Sequence, residues 1–301
     1  MKTLLVIGGP TAVGKTTLCV RLAKQLGTDV VSADSRQLYR ELRIGTATPT
    51  DAEMDGVRHH FIQSHSVTDP VNAGRYERAC LALLTELFRE KDILILTGGT
   101  GLYISAVCFG LDDMPPVDPA LRQHLSDRLQ TEGLTALQTD LRRLDPVYAR
   151  TADLQNPVRV TRALEVILAT GQPYSSFRRQ QPAARPFRPV LTMLDRPRAE
   201  LYARIDARTD AMLAAGLVDE VRSLLPYRDL APLQTVGYQE IFPYLDGTYD
   251  YDEMVRRLKQ NTRRYAKRQL TWFRNQGDYV PVSMSDESAA MGTLLALTIG
   301  N

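Results

Sequence analysis

The chain has 301 residues and a formal net charge of +2, from 37 basic and 35 acidic side chains. Hydrophobic residues make up 44% and charged residues 24% of the sequence, which excludes a disordered, collagen-like or coiled-coil protein. The length suits one large domain, or one domain that carries an insertion. Because the net charge is near zero, any binding of nucleic acid must depend on local clusters of basic residues.

The cysteines and the apolar segments bear on the cellular compartment. Cys19, Cys80 and Cys108 are far apart and lack the spacing of metal ligands, so we expect three buried thiols in a reducing compartment. The apolar run at residues 4–7 is too short for a signal peptide. No segment approaches the length of a membrane span. The sequence therefore predicts a soluble, cytoplasmic protein.

The first third of the chain alternates between strand and helix patterns. Short apolar runs bounded by glycine are typical of buried parallel strands, and the helices between them have one apolar face. This order predicts a parallel sheet covered by helices. Strands are predicted at 3–7, 29–33 and 93–96, and helices at 15–26 and 72–90.

The pattern changes after the prolines at 115 and 116. Residues 119–180 are helical in pattern and rich in arginine, one further strand is predicted at 190–194, and the chain from 197 onward is expected to be almost wholly helical. The predicted fold class is therefore α/β, a P-loop parallel sheet covered by helices, with a helical insertion domain. We expect residues 1–114 and 187–301 to form the catalytic domain and 115–186 the insertion.

Residues 9–16 match the phosphate-binding pattern G-x-x-x-x-G-K-[ST] and lie between a predicted strand and a predicted helix. In such a loop the backbone N–H groups and the positive end of the helix bind phosphate. Lys15 adds a positive charge, and the Thr16 hydroxyl can bind Mg²⁺. The alternative is an ordinary strand–turn–helix joint that contains glycines. The residues expected to bind a diphosphate or triphosphate are Gly9, Pro10, Thr11, Ala12, Val13, Gly14, Lys15 and Thr16.

The acidic residue near this loop is not where an ATP-hydrolysing enzyme or a kinase needs it. Such enzymes place an acid at the end of a later strand to bind magnesium, but the strand at 93–96 continues into Thr97 and glycines. Asp34 instead follows the second strand, where a side chain faces the ligand crevice. It could bind magnesium through water or accept a proton from a nucleophile. Alternatively, it is an N-cap or turn former.

Several further motifs follow the phosphate loop in order, and the match fades only past about residue 282. Together they resemble the tRNA dimethylallyltransferase (isopentenyl-tRNA transferase) family. The motifs include Ser32-Ala33-Asp34-Ser35-Arg36-Gln37, Gly98-Gly99-Thr100-Gly101-Leu102-Tyr103, Arg204-Ile205-Asp206-Ala207-Arg208, Val236-Gly237-Tyr238 and Lys267-Arg268-Gln269-Leu270-Thr271-Trp272-Phe273-Arg274.

This resemblance implies transfer of a dimethylallyl group from dimethylallyl diphosphate to N6 of the adenine 3′-adjacent to the anticodon of tRNA, with Mg²⁺ as cofactor and release of diphosphate. The nucleotide-type loop would then bind the allylic diphosphate rather than ATP, which accounts for the missing acid. The resemblance assigns Asp34 as catalytic base, Thr100 to a position beside the diphosphate and the base, and Arg208 to the diphosphate. By itself, an arginine such as Arg208 is more often solvated or salt-bridged.

Residues 255–274 predict a basic helix in which Arg256, Arg263, Lys267 and Arg274 form one stripe. Such a stripe suits the tracking of phosphates, and Tyr265, Trp272 and Phe273 could stack on unpaired bases. The alternative is a helix with an aromatic core side and solvated arginines. The insertion is expected to grip the anticodon stem while the adenine is extruded. The residues expected to contact tRNA are Ser35, Arg36, Gln37, Arg122, Arg159, Gln234, Gly237, Tyr238, Lys267, Arg268, Trp272 and Arg274.

Two positions depart from the family pattern. Thr48 stands before Pro49 where a lysine is common, and Gln63 stands where an acid is frequent. The runner-up function is a P-loop small-molecule or nucleotide kinase, and a third possibility is an RNA-binding module with a vestigial nucleotide site. The expected partners are tRNA and dimethylallyl diphosphate, without a membrane, and the chain is expected to act as a monomer.

Overall fold

The computed structural model describes residues 2–178 and 181–299, and its centre is one parallel sheet. The strands are β1 (Thr3–Gly8), β2 (Val30–Ser32), β3 (His59–His60), β4 (Ile93–Gly98), β5 (Arg188–Asp195) and β6 (Val280–Ser283). They lie in the order β3-β2-β4-β1-β5-β6, and every pair of neighbours is parallel. The predicted α/β class is confirmed.

The described part of the chain divides into two compact units, one formed by residues up to Phe109 with those from Ala184 onward, and the other by Gly110–Ala183. The first unit contains the sheet and helices α1 (Lys15–Leu26), α2 (Asp51–Met54), α3 (Ala73–Glu90), α4 (Gly101–Phe109), α9 (Arg198–Ala214), α10 (Leu217–Ser223), α11 (Phe242–Leu245), α12 (Tyr251–Asn275) and α13 (Glu287–Ile299). The second contains α5 (Pro119–Thr131), α6 (Gly133–Leu144), α7 (Pro146–Thr151) and α8 (Pro157–Thr170).

The central strand β1 explains why the sequence shows an unbroken apolar run rather than an alternating pattern. Successive side chains of a strand point to opposite faces of the sheet. Leu4 and Val6 belong to one buried cluster, and Leu5 and Ile7 belong to another. Since helices cover both faces, both sets of side chains are removed from water, and all four residues are fully buried.

Two edge strands were missed because they are short. The chain after residue 197 was expected to be almost wholly helical, and this was wrong at β6, which pairs with β5. Only Val282 of β6 is buried, and Pro281 is tolerated because the strand lies at an edge. At the other edge, β3 has only two residues. Neither segment is long enough to show a periodic pattern.

The helices predicted near the phosphate loop and near the C-terminus, and the three buried cysteines, agree with the structure. The helix expected at 15–26 is α1 with the same bounds, and the packed helix expected near the C-terminus is α13, in which Leu294 is buried. Residues 300 and 301 lie outside the described ranges. Cys19, Cys80 and Cys108 are buried free thiols, as expected. Within residues 2–178 and 181–299, no helix has the length and apolar content that crossing a membrane requires.

The second unit is a small helical bundle with its own core, which includes Leu125, Leu141 and Leu164. The helical pattern predicted from residue 119 is confirmed, although Arg179 and Gln180 lie outside the described residues. Arg122 lies 3.4 Å from the buried carboxylate of Glu165, whereas Arg159 is exposed on α8. Their expected contacts with tRNA, and the expected bounds 115–186, stay predictions.

Helix α12 lies against the ends of β1 and β4 because glycines there leave room for its side chains. A Cβ atom at Gly8 would lie 2.4 Å from the ring of Phe273, and one at Gly101 would lie 2.2 Å from the ring of Trp272. These overlaps are too close for any side chain at the two glycines. The last turns of α12 are therefore locked onto the strand ends that carry the site.

Gly98 at the end of β4 permits a second close approach, that of the backbone at Ala33 just after β2. A Cβ atom at Gly98 would lie 2.4 Å from the carbonyl group of Ala33. Because that group is backbone and not the end of a flexible side chain, the overlap can be relieved only by a shift of the main chain. We expect Gly98→Ala to lower the free energy of unfolding by about 1–3 kcal/mol. Gly292→Ala is the control, since that glycine lies inside α13 with open space around it and alanine should add about 0.5–1 kcal/mol there. Urea denaturation that gives the same sign for both variants would contradict this packing.

Candidate functional site

A cavity of about 620 Å³ lies where β1, β2 and β4 end, the usual ligand position in a parallel sheet. Its walls come from the phosphate loop, the segment after β2, and helices α9 and α12. The predicted site residues that line it are Thr11, Ala12, Gly14, Lys15, Thr16, Asp34, Arg36, Gln37, Arg208 and Gly237. Gly9, Pro10, Val13, Ser35, Thr100, Gln234, Tyr238, Lys267, Arg268, Trp272 and Arg274 are not among the lining residues.

Lys15 is the central cation of the phosphate loop. Its ammonium group donates to the carbonyl oxygens of Gly9 and Pro10 at 2.9 and 2.8 Å. Burial lowers the pKa of Lys15 to about 8, although the carboxylate of Asp34 favours the charged form. A cation that is bound only to neutral carbonyl groups and is poorly hydrated is well suited to bind an anion.

Two arginines outside the motif hold the backbone of this loop. The guanidinium group of Arg204 donates to the carbonyl oxygen of Ala12 at 2.8 Å, and that of Arg196 donates to Val13 at 2.9 Å. Ala12 has a positive φ of 64°, which is uncommon for a residue with a side chain. The sequence offered a signal for Arg204, which lies in a quoted motif, but none for Arg196.

Arg208 reaches the same loop from α9. It donates to the Thr11 hydroxyl over 3.4 Å, and burial lowers its pKa, while the carboxylates of Asp34 and Glu53 oppose that effect. The alternative interpretation of Arg208 was a solvated or salt-bridged arginine; the side chain instead lines the cavity and bonds to the phosphate loop. Lys15 and Arg208 give the cavity one strongly positive end.

Asp34 lies in the cavity wall and is fixed by the turn that follows it. Its Oδ1 atom accepts hydrogen bonds from the backbone N–H groups of Arg36 and Gln37 at 2.9 and 3.3 Å. The turn-forming role considered for Asp34 is therefore present, and it orients the carboxylate toward the cavity. Thr100 supports the same turn, since its hydroxyl accepts from the Ser35 N–H at 3.0 Å and donates to the Ser35 hydroxyl at 3.1 Å.

Glu220 on α10 organises a second wall and was not anticipated from the sequence. Its carboxylate accepts three consecutive backbone N–H groups, those of Arg43, Ile44 and Gly45, at 2.7–3.0 Å. It also accepts the Tyr238 hydroxyl at 2.7 Å. Tyr238 is fully buried, so the predicted contact of its side chain with tRNA does not fit this arrangement. The ring instead supports Gly45, which lines the cavity.

The other predicted residues near these walls form local contacts. Gln37 donates to the carbonyl oxygens of Thr46 and Ala47, and Arg36 donates to Ala231. The side-chain amide of Gln234 donates to the Arg228 carbonyl, and the Gly237 N–H donates to Glu240. At the two positions that depart from the family pattern, Thr48 lines the cavity and Gln63 accepts a hydrogen bond from Arg43.

The basic stripe predicted on α12 is largely neutralised by carboxylates. Arg256 binds Glu253 within α12, and Arg274 binds Asp195 at the end of β5. Arg263 binds Asp206, which lies on α9. Among the described residues, the exposed basic side chains of this helix without an ion-pair partner are Arg264, Lys267 and Arg268.

The three aromatic candidates on α12 are placed differently. Phe273 is buried, and Trp272 packs on Gly101, so both rings belong to the packing of the helix. Tyr265 lines the cavity, with the Arg268 guanidinium 5.7 Å from its ring centre. Of these three rings, only that of Tyr265 is positioned to meet a ligand in the cavity.

Sequence and structure comparisons agree on one family. A family model described as IPP transferase matches residues 37–276. The chain is 51% identical over 272 residues to a tRNA dimethylallyltransferase of Cytophaga hutchinsonii, covering 90% of each chain. It is 47% identical over 295 residues to tRNA dimethylallyltransferase 2 of Porphyromonas gingivalis, covering 98% of this chain and 97% of the relative.

Solved structures give the same result. The tRNA isopentenylpyrophosphate transferase of Bacillus halodurans has a TM-score of 0.72 and 38% identity, with 98% of this chain and 95% of that chain covered. A eukaryotic dimethylallyltransferase acting on tRNA has a TM-score of 0.77 and 26% identity, with coverages of 96% and 75%. With the loop, the cavity and these similarities together, the chain belongs to the tRNA dimethylallyltransferase (IPP transferase) family of prenyl-transferring enzymes.

Proposed function

We propose that this chain transfers a dimethylallyl group from dimethylallyl diphosphate to N6 of the adenine 3′-adjacent to the anticodon of tRNA, releasing diphosphate. The observation that carries the proposal is one cavity that contains both a cationic phosphate loop and the Asp34 carboxylate. The names of the similar proteins support the tRNA substrate. No comparison favours the kinase alternative.

The cationic end of the cavity suits the leaving group. As the bond between the allylic carbon and the diphosphate oxygen breaks, the electron pair goes to that oxygen and negative charge grows on the diphosphate. Lys15, Arg208 and the phosphate loop line the same part of the cavity, so they would stabilise that charge with little reorganisation as it forms. An allylic diphosphate therefore takes the place that ATP has in related loops.

Asp34 suits the role of general base. The N6 lone pair of adenine is delocalised into the ring, so N6 becomes a good nucleophile only if a proton leaves as the N–C bond forms. Asp34 accepts that proton at the cavity wall, where the turn at Arg36 and Gln37 fixes its orientation. Thr100 helps to hold Asp34 in place, because its hydroxyl accepts a hydrogen bond from the N–H group of the next residue, Ser35.

Magnesium fits this site as an ion held mainly by the substrate. In the described ranges, no three His, Cys, Asp or Glu side chains form a group that could bind a metal. Mg²⁺ commonly uses one or two protein ligands together with phosphate oxygens and water. The Thr16 hydroxyl lines the cavity and would provide such a ligand, and the ion would neutralise part of the diphosphate charge.

Lys267 and Arg268 on α12 and Arg159 in the second unit are exposed and basic, which supports contacts with tRNA phosphates. Lys15, Asp34 and Arg208 line one cavity, and we propose that the enzyme acts as a monomer.

Incubation of the protein with Mg²⁺, dimethylallyl diphosphate labelled in the allyl group, and unmodified tRNA tests the function. Label is expected to enter tRNA and to be recovered as N6-modified adenosine after digestion. A parallel incubation with γ-labelled ATP should give neither hydrolysis nor a phosphorylated acceptor. ATP turnover without transfer of the allyl label would contradict the proposal.

The Asp34→Asn variant tests the base. Asparagine keeps the Oδ1 oxygen that accepts the Arg36 N–H but cannot take up the proton, so we expect kcat to fall by about 100-fold or more while the thermal midpoint stays near that of the parent. Asp278→Asn, at an exposed position, is the control and should transfer at the parent rate. Transfer by Asp34→Asn within a few-fold of the parent would exclude Asp34 as the base.

The lowered pKa of Lys15 gives a dependence on pH. Between the folded-state pKa of about 8 and the ordinary 10.5, the unfolded chain binds more protons, so this group makes the free protein more stable as pH rises. Binding of pyrophosphate has the opposite trend, because the anion needs the charged ammonium group. We expect affinity for metal-free pyrophosphate to fall above about pH 8, relative to a Lys15→Met variant that provides the baseline. Parallel pH profiles for the two proteins would contradict this role of Lys15.

A further inference from the structure

The buried amide of Gln269 lies between the two loops that the chemistry uses. Gln269 is on α12, is 6% exposed, and lines the cavity. Its Oε1 atom accepts the backbone N–H of Thr11 at 2.9 Å, and its Nε2 atom donates to the carbonyl oxygen of Gly99 at 3.0 Å. Both ends of this buried polar group are therefore paired with backbone.

Each of these backbone partners leads to a residue assigned to the chemistry. The Thr11 side chain accepts a hydrogen bond from Arg208 at the diphosphate end. Gly99 precedes Thr100, whose hydroxyl binds Ser35 beside Asp34. The amide is thus one direct connection between the diphosphate end and the base end of the cavity.

The side-chain amide of Gln269 occupies the space beside Gly99 that a side chain at position 99 would need. A Cβ atom at Gly99 would lie 2.1 Å from the Nε2 atom of Gln269, so position 99 must lack a side chain for the bond to form. Because the Thr11 N–H group already donates to Gln269, phosphate binding is left to the N–H groups of later loop residues. A neutral amide with one acceptor and one donor matches the two partners.

We propose that Gln269 is a positioning residue for prenyl transfer, which sets the separation between the phosphate loop and the turn that carries Asp34. The proposal rests on the proposed function. Alignment of the nitrogen, the allylic carbon and the leaving oxygen is sensitive to small displacements, and an error of about 1 Å can cost about 100-fold in rate. Gln269 touches both loops but takes no proton and forms no bond in the reaction.

Two variants separate positioning from simple packing. Gln269→Met keeps similar volume but removes both hydrogen bonds, so we expect kcat to fall about tenfold to a hundredfold with KM for either substrate changed by less than about threefold, because the groups that bind charge remain. Gln269→Glu keeps the acceptor for Thr11 but, when ionised, loses the donor for Gly99. When protonated, its carboxyl group has both.

The Gln269→Glu variant therefore gives a signature that packing alone would not. Its rate relative to the parent at the same pH should rise as pH is lowered from 8 toward 5. Gln260→Met is the matched control, since Gln260 lies half-buried on the same helix and away from the cavity. It should transfer at the parent rate at every pH.

Amide hydrogen exchange gives a readout that does not depend on activity. Exchange of Thr11 and of residues 34–37 should be faster in Gln269→Met than in the parent and unchanged in Gln260→Met. Exchange that stays equal to the parent, or Gln269→Met with a parental kcat and only reduced stability, would overturn the proposal. A parent protein that transfers no prenyl group would overturn the proposed function instead, and the exchange result would still decide whether Gln269 links the two loops.

Discussion

The packing of α12 against glycine at the strand ends is the constraint on which the site depends. Phe273 fills the space at Gly8, and Trp272 fills the space at Gly101. Gln269 does the same at Gly99 and bonds to the phosphate loop. Because these contacts are close, a shift of the helix would disturb the backbone at both strand ends, where the ligand cavity begins.

The charged side chains of the cavity are arranged with two cations at one end and a carboxylate near them. Lys15 and Arg208 form a half-buried positive end whose hydrogen bonds go to carbonyl and hydroxyl oxygens, and Asp34 provides the nearby carboxylate. Burial makes both cations poorly hydrated, which favours binding of an anionic ligand over binding of water. In the proposed reaction, the same arrangement would favour departure of diphosphate and acceptance of a proton within one cavity.

The sequence predicted what is locally encoded and missed what depends on distant partners. Helix α1 followed from apolar residues one turn apart, Leu18, Leu22 and Leu26, and the parallel sheet followed from short apolar runs bounded by glycine. The basic residues of α12 were predicted, but the pairing of Arg263 with Asp206 and of Arg274 with Asp195 was not, because both acids lie on other elements. The position of Tyr238 was missed because its partner Glu220 is 18 residues away, and β6 was missed because a four-residue edge strand has no periodic signal.

In the proposed reaction, loss of diphosphate accompanies attack by tRNA and needs a base in the same cavity, and this coupling can be measured directly. Release of pyrophosphate from dimethylallyl diphosphate should be followed with and without unmodified tRNA, alongside the amount of prenyl group bound to adenine. We expect release only with tRNA, in a one-to-one ratio to modified adenine. Equal release without tRNA would show hydrolysis independent of the acceptor and would contradict the proposed mechanism.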